Sequence, residues 1–232
     1  MACCFYRVME RIAGASPHTA PSQAGSSDVY FNSAFHMIDR QEMTQSSMKA
    51  TTSDKINVAQ TPLTAREYED HAFTNCSFQN ADLSDIVFVE CEFDNCDLSM
   101  AKLTNTTLRD VSFKNCKMLG LRFDTCNEFG LTATFENCIL NHSSFYKTKF
   151  KKTVFTNLKF HEVDFTECDL SGSVFNNCDL SGALFEMTLL EKADFRTAFN
   201  YSIDPERNRI KKARFSLIGI PVLLHKYDIV VE

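Results

Sequence analysis

Phe160–Phe195 reads FHEVDFTECDLSGSVFNNCDLSGALFEMTLLEKADF. In it a large apolar residue returns at every fifth position: Phe160, Phe165, Leu170, Phe175, Leu180, Phe185, Leu190 and Phe195. A helix repeats its faces every ~3.6 residues and a strand every ~2, so neither produces a spacing of five. The same phase runs back through Phe155, Phe150, Phe145 and Leu140 to Phe135. After a gap of 12 residues it resumes at Phe123 and continues through Met118, Phe113, Leu108, Leu103, Leu98, Phe93, Phe88, Leu83 and Phe78 to Phe73. All 24 positions hold Phe, Leu or Met. The wider composition carries the same mark: 21 Phe, no Trp, and no Pro between Pro62 and Pro205.

Two residues before most of these positions stands a small or modestly apolar side chain, as at Cys76, Ala81, Cys96, Ala101, Cys138, Ser173 and Ala193. The segments ADLSD (Ala81–Asp85), CDLSG (Cys168–Gly172 and Cys178–Gly182) and ADFRT (Ala193–Thr197) resemble the A-(D/N)-L-x-x pattern of the pentapeptide-repeat family. The resemblance implies an all-β fold, a right-handed quadrilateral β-helix in which four pentapeptides make one square coil. Such a coil stacks residues 20 apart, and the chain has that echo. Phe73, Phe93, Phe113, Phe135, Phe155, Phe175 and Phe195 form one column, and Asn75, Asn95, Asn115, Asn137, Asn157 and Asn177 form the next corner. Asn tolerates turn conformations, and stacked amides hydrogen-bond into ladders.

Three segments follow. Residues 1–62 carry no repeat and are expected to be a disordered extension. A targeting presequence, or a true start at Met48, are the other readings of that end. Residues 63–197 form the β-helix, with Leu63 and Tyr68 already in phase and Thr64 with Glu67 as a capping box over the first coil. Residues 198–232 hold a loop, a last coil at Ala213–Phe215 and an apolar ending, SLIGIPVLLHKYDIVVE. Pro221 suits the first turn of a short helix, and Ile229–Val231 reads as a strand. The spacing between Phe123 and Phe135 places a two-residue insertion near 125–132. The old phase would bury Glu128, an unpaired carboxylate, so Phe129 is the expected inward residue. Glu128, Phe129 and Gly130 make this bulge either a plain accommodation or a partner contact.

Eight of the ten cysteines fall on small inward positions, Cys126 among them if the phase persists into the bulge. A straight stack of thiols cannot surround a metal tetrahedrally, so they read as small hydrophobes. Free thiols suit a reducing, cytoplasmic setting. The formal charge of -6 argues against nonspecific nucleic-acid binding, and no stretch approaches the ~18 apolar residues of a membrane span. No nucleophile motif, phosphate loop or metal spacing is present, so no enzyme, cofactor or metal is expected.

The ending also resembles the C-terminal dimerisation module of quinolone-resistance pentapeptide-repeat proteins. That likeness implies a homodimer through Val222, Leu223, Leu224, Tyr227 and Ile229, and a rod that mimics duplex DNA to bind a type II topoisomerase (DNA gyrase). Acidic clusters at Asp82–Asp97 and Glu162–Asp169 fit mimicry, whereas the basic run Lys147, Lys149, Lys151, Lys152 and Lys159 interrupts it. A general scaffold for some other protein partner is the alternative.

Overall fold

A computed structural model describes residues 51–230. Seven short parallel strands stack in chain order on one face: Thr51–Asp54, His71–Thr74, Glu92–Asp94, Val111–Lys114, Ala133–Glu136, Val154–Thr156 and Val174–Asn176. A second face carries three: Glu67–Glu69, Val87–Val89 and Thr107–Arg109. Single bridges join the remaining faces. Ser77 pairs with Asp97 and Asp82 with Lys102, while within the sheets Val87 pairs with Thr107 and Glu92 with Ser112. Four pairings five residues apart, each reaching 20 residues up the chain, define a four-sided parallel solenoid.

The interior is the five-residue phase. All 24 ladder side chains are buried. The phenylalanine column stacks ring on ring, with centroids 4.8 Å apart at Phe73–Phe93, 4.9 Å at Phe155–Phe175 and 4.7 Å at Phe175–Phe195. It ends on Phe215, 5.4 Å from Phe195 and nearly parallel to it. Aromatic pairs in this offset range add to the burial itself.

The small inward position has a second task. Its hydroxyl or thiol donates to the carbonyl of a ladder residue one coil below: Thr106 Oγ1 to Leu83 O (2.7 Å), Ser173 Oγ to Phe150 O (2.6 Å), Cys116 Sγ to Phe93 O (3.3 Å). Ser, Thr and Cys therefore stand at this position as well as Ala, with a polar hydrogen that finds an acceptor inside the rod. All eight described cysteines are free, and seven are buried. Burial pushes the Cys168 and Cys178 thiols up to about 12.

Except at Thr125 and Thr197, each corner turns through a left-handed residue two positions after the ladder residue. Asn75, Asn95, Asn115, Asn137, Asn157 and Asn177 all have φ between 51° and 55°. Their amides form the expected ladder, Asn95 Nδ2 donating to Asn75 Oδ1 (2.5 Å) and Asn157 Nδ2 to Asn137 Oδ1 (2.9 Å), although Asn115 donates to Asp94 Oδ1 (2.8 Å) instead.

Four expectations need correction. The solenoid does not begin at residue 63. Thr51–Asp54 pairs in register with His71–Thr74, and Val58 is buried, because a strand edge and a coil end both need covering. Residues 1–50, with the extension and start readings that concern them, lie outside the described residues. The capping box is absent: Glu67 opens a strand rather than a helix, and Tyr68 stacks on Phe88 at 5.6 Å. Phe129 does not turn inward and is 77% exposed. Cys126 and Leu131 pack against the core in its place, so the inward positions are filled without Glu128 or Phe129. Finally, the helix Ile220–Leu223 is present, but Ile229 and Val230 join no strand. Val231 lies outside the described residues.

Candidate interaction surface

The bulge is built from short polar contacts. Phe123–Thr125 makes one 3-10 turn, fastened by Arg122 Nη2 donating to Asp124 Oδ2 (2.7 Å) and Thr125 Oγ1 donating to Arg122 O (2.8 Å). Asn127 N donates to Thr106 O (2.9 Å), and Asn127 Oδ1 accepts from Phe129 N (3.0 Å). Gly130, with φ of 77°, turns the chain back, and Thr132 Oγ1 ties it down to Asp110 Oδ1 (3.0 Å). Glu128, Phe129 and Gly130 are thus brought together as an exposed tip.

The detour ends the three-stranded sheet, since no strand follows Thr107–Arg109 on that face. It also opens two solvent-facing clefts. One of about 370 Å³ lies between the bulge and Tyr146–Lys149, with Cys126 and Leu131 in its wall. The other, about 570 Å³, runs from Asp110 and Leu131 to Lys149–Val154. Cys126 is half-buried, and burial with the nearby Asp124 charge lifts its thiol to about 12.

The apolar ending divides between plug and surface. Leu223 is buried on its own coil end, Phe215 is half-buried beneath the ending, and Leu224 is half-buried. Ser216 Oγ caps the turn Leu217–Gly219 by accepting from Gly219 N (3.1 Å), and Gly219 lies on the Tyr201 ring so closely that a Cβ would collide with Tyr201 Oη. Val222, Tyr227 and Ile229 face solvent, and so do Leu217 and Ile218, each 91% exposed. Lys226 clamps the ending to the Asp204-Pro205 turn, its Nζ donating to Asp204 Oδ1 (2.8 Å) and lying 2.6 Å from Glu206 Oε2. These bonds hold the Asp204 and Glu206 carboxyls below their usual range and raise Lys226. No sequence signal marked Lys226, because its partners lie about 20 residues away. Leu217 and Ile218 carried a signal, apolar side chains just ahead of the helix-starting Pro221.

Along the sides, charges of adjacent coils pair: Lys102 with Asp82 (3.1 Å), Lys114 with Glu92 (2.7 Å), Lys117 with Asp97 (3.4 Å), Lys147 with Glu167 (3.5 Å) and Lys151 with Asp169 (2.9 Å). The acidic and basic stretches are therefore partly neutralised in place, each exposed pair adding little. Among the described residues no group of three or more His, Cys, Asp or Glu could hold a metal ion. No helix among them is long and apolar enough to cross a membrane.

No curated protein matches the chain significantly. Among solved structures, a trypsin-treated variant of QnrB1, a plasmid-mediated fluoroquinolone resistance protein, aligns with a TM-score of 0.53 at 19% identity, over 79% of this chain and 99% of that one. A second trypsin-treated QnrB1 variant aligns with a TM-score of 0.53 at 19% identity, over 78% and 97%. At that identity the likeness speaks for the fold. The profile described as pentapeptide repeats (8 copies) matches residues 73–110 and 91–127, and the profile described as a pentapeptide repeat region matches 131–200. Together they span more than half of the 232 residues, and they fall on the coils whose inward ladder is described above, so the chain belongs to the pentapeptide-repeat family.

Proposed function

We propose that this rod is a non-catalytic protein-binding scaffold, acting through outward side chains at the bulge, the flat faces and the cap. One observation carries the reading: the inward positions are consumed by the ladder, and the most exposed of the large apolar groups sit at the irregular places, Phe129 on the bulge and Leu217 and Ile218 on the cap, ahead of Met100, Val154, Leu184 and Met187 on the regular coils. Irregular segments on a rigid frame are where recognition concentrates. The free, buried thiols fit a reducing, cytoplasmic compartment.

Within this reading the first partner class to test is a type II topoisomerase, suggested by the likeness to QnrB1. Acidic outward side chains would then stand in for duplex phosphates. The coil-to-coil ion pairs weaken that picture, because they neutralise much of the acidic surface. Fluoroquinolone-stabilised DNA cleavage by gyrase, measured with and without the protein, tests it. Protection at a stoichiometric protein level supports a topoisomerase partner. Unchanged cleavage, with no co-sedimentation of the two proteins, sinks that partner and leaves the scaffold.

The cap fits a second copy of the chain. Val222, Tyr227 and Ile229, with Leu217 and Ile218, supply an apolar surface, whereas Leu223 is taken up by the core and Leu224 is half-buried. Light scattering of Ile218→Asp/Ile229→Asp against the parent reads this contact. A monomeric double variant from a dimeric parent supports it; a monomeric parent rules it out.

A further inference from the structure

One corner of the rod breaks the rule of paired charges. Following this corner up the coils gives the left-handed residues Asp70, Glu90 and Asp110, then Thr132 in register at the insertion with the left-handed Gly130 two residues ahead of it, then Lys152, Gly172, Lys192 and Lys212; the left-handed residues all have φ between 48° and 77°. The column is acidic below the insertion and basic above it. All six charged residues are exposed, and none makes a salt bridge among the described residues. The neighbouring Arg109 is laid against Gly130 instead. The corner itself is firm: Asp70 N donates to Val89 O (3.1 Å), Glu90 N to Arg109 O (2.8 Å), Lys152 N to Ser171 O (3.0 Å) and Lys192 N to Lys211 O (3.0 Å).

Stacking like charges one coil apart, roughly 4.8 Å, is unfavourable for the isolated rod. Elsewhere opposite signs meet between adjacent coils, as at Asp82 with Lys102, Glu92 with Lys114, Asp97 with Lys117 and Lys147 with Glu167, so the segregation is not a requirement of the fold. A polyanion would meet the acidic half and be repelled by it, and a polycation would be repelled by the basic half. The shape that satisfies both halves is the same column run backwards. A two-fold axis makes one patch complementary to itself.

We infer that this corner pairs side by side and antiparallel with a second copy of the chain, about a two-fold axis at the insertion. Asp110 then faces the partner's Lys152, and Asp70 faces the partner's Lys192. Glu90 falls opposite the partner's Gly172, beside those lysines. Phe129, exposed on the bulge at the pivot, provides the apolar contact beside the clefts that the insertion opens. The contact is separate from the cap, and it is electrostatic where the cap is apolar.

Sedimentation velocity of the full chain at tens of micromolar, in roughly 0.03 M and roughly 0.5 M salt, tests it, since screening shortens from beyond 10 Å to a few ångström across that range. A doubling of mass at low salt that reverses at high salt is expected; a cap dimer would persist in both. Asp110→Lys alone and Lys152→Glu alone should each weaken the salt-sensitive step at least about tenfold, because each sets like charges face to face twice. The double variant Asp110→Lys/Lys152→Glu should restore it. Melting curves within a few degrees of the parent confirm that these surface changes leave the coils folded. Absence of salt-reversible association in the parent, singles that associate like the parent, or a double variant no better than the singles would each overturn the inference, whatever happens at the cap.

Discussion

The coils from Phe135 to Phe195 and the turn from Phe123 to Phe135 are made by the same chain under the same rule, yet only the first keeps it. In the regular coils five residues make one side, the ladder is buried and hydrogen bonds run coil to coil. In the irregular turn two extra residues leave Phe129 in solvent and end a sheet. The damage stays local. Val111 still pairs with Ala133 and Phe113 with Phe135, so the register is recovered within one coil. The phenylalanine column opens slightly there, to 5.4 Å at Phe113–Phe135 and 5.9 Å at Phe135–Phe155, then tightens. A solenoid repeat answers chiefly to its neighbours above and below, which is why an insertion costs one coil rather than the fold.

The largest test of that contrast sets two phenylalanines against each other. Phe155→Ala removes a ring stacked between Phe135 and Phe175 and should cost about 3–5 kcal/mol by denaturant melting. Phe129→Ala should change stability by no more than about 0.5 kcal/mol. Equal losses would show that the bulge is part of the core.

Gly219→Ala asks whether the cap behaves like a coil or like a lid. Its Cβ would strike Tyr201 Oη, and such overpacking typically costs about 1–3 kcal/mol. Limited proteolysis should then cut near residues 217–230 while the coils stay resistant. Resistance unchanged from the parent would mean that the cap shifts freely to accept the methyl.

Ser173→Ala deletes the donor to Phe150 O in a regular coil and should cost about 1 kcal/mol, with Ser173→Cys recovering part of it. No loss with Ala would reduce the inward hydroxyls and thiols to space-filling. Met187→Asn probes the corners: Met187 is exposed with φ of 51°, a conformation Asn accepts more readily. A gain of about 0.5–1 kcal/mol is expected, and a loss would show that the Met side chain packs usefully.

The smallest effect is kinetic. Cys126, half-buried in the bulge cleft, should be the first of the eight described cysteines to react with a thiol reagent. With its thiol lifted to about 12, the thiolate is scarce at neutral pH, so labelling should accelerate about tenfold per pH unit between pH 7 and 10. Cys76, Cys91, Cys96, Cys116, Cys138, Cys168 and Cys178 should stay unlabelled without denaturant. Reaction of these seven at the rate of Cys126 would mean that the regular coils breathe as much as the bulge.

The inward ladder, the phase of the cysteines, the left-handed asparagine corner and the site of the insertion were all determined by sequence alone. A period of five leaves one geometric solution, and a twenty-residue echo fixes how coils stack. What only the tertiary structure decided concerns exceptions to the period. The first coil at Thr51–Asp54 carries no ladder Phe, and its place comes from the exposed edge of His71–Thr74 that it covers. Phe129 points outward because Cys126 and Leu131 reach the core first, a competition among three apolar residues that hydrophobicity does not rank. The Lys226 clamp and the sign-segregated corner join residues about 20 or more positions apart, where neighbours are set by the stacking of coils and by the two residues the bulge adds.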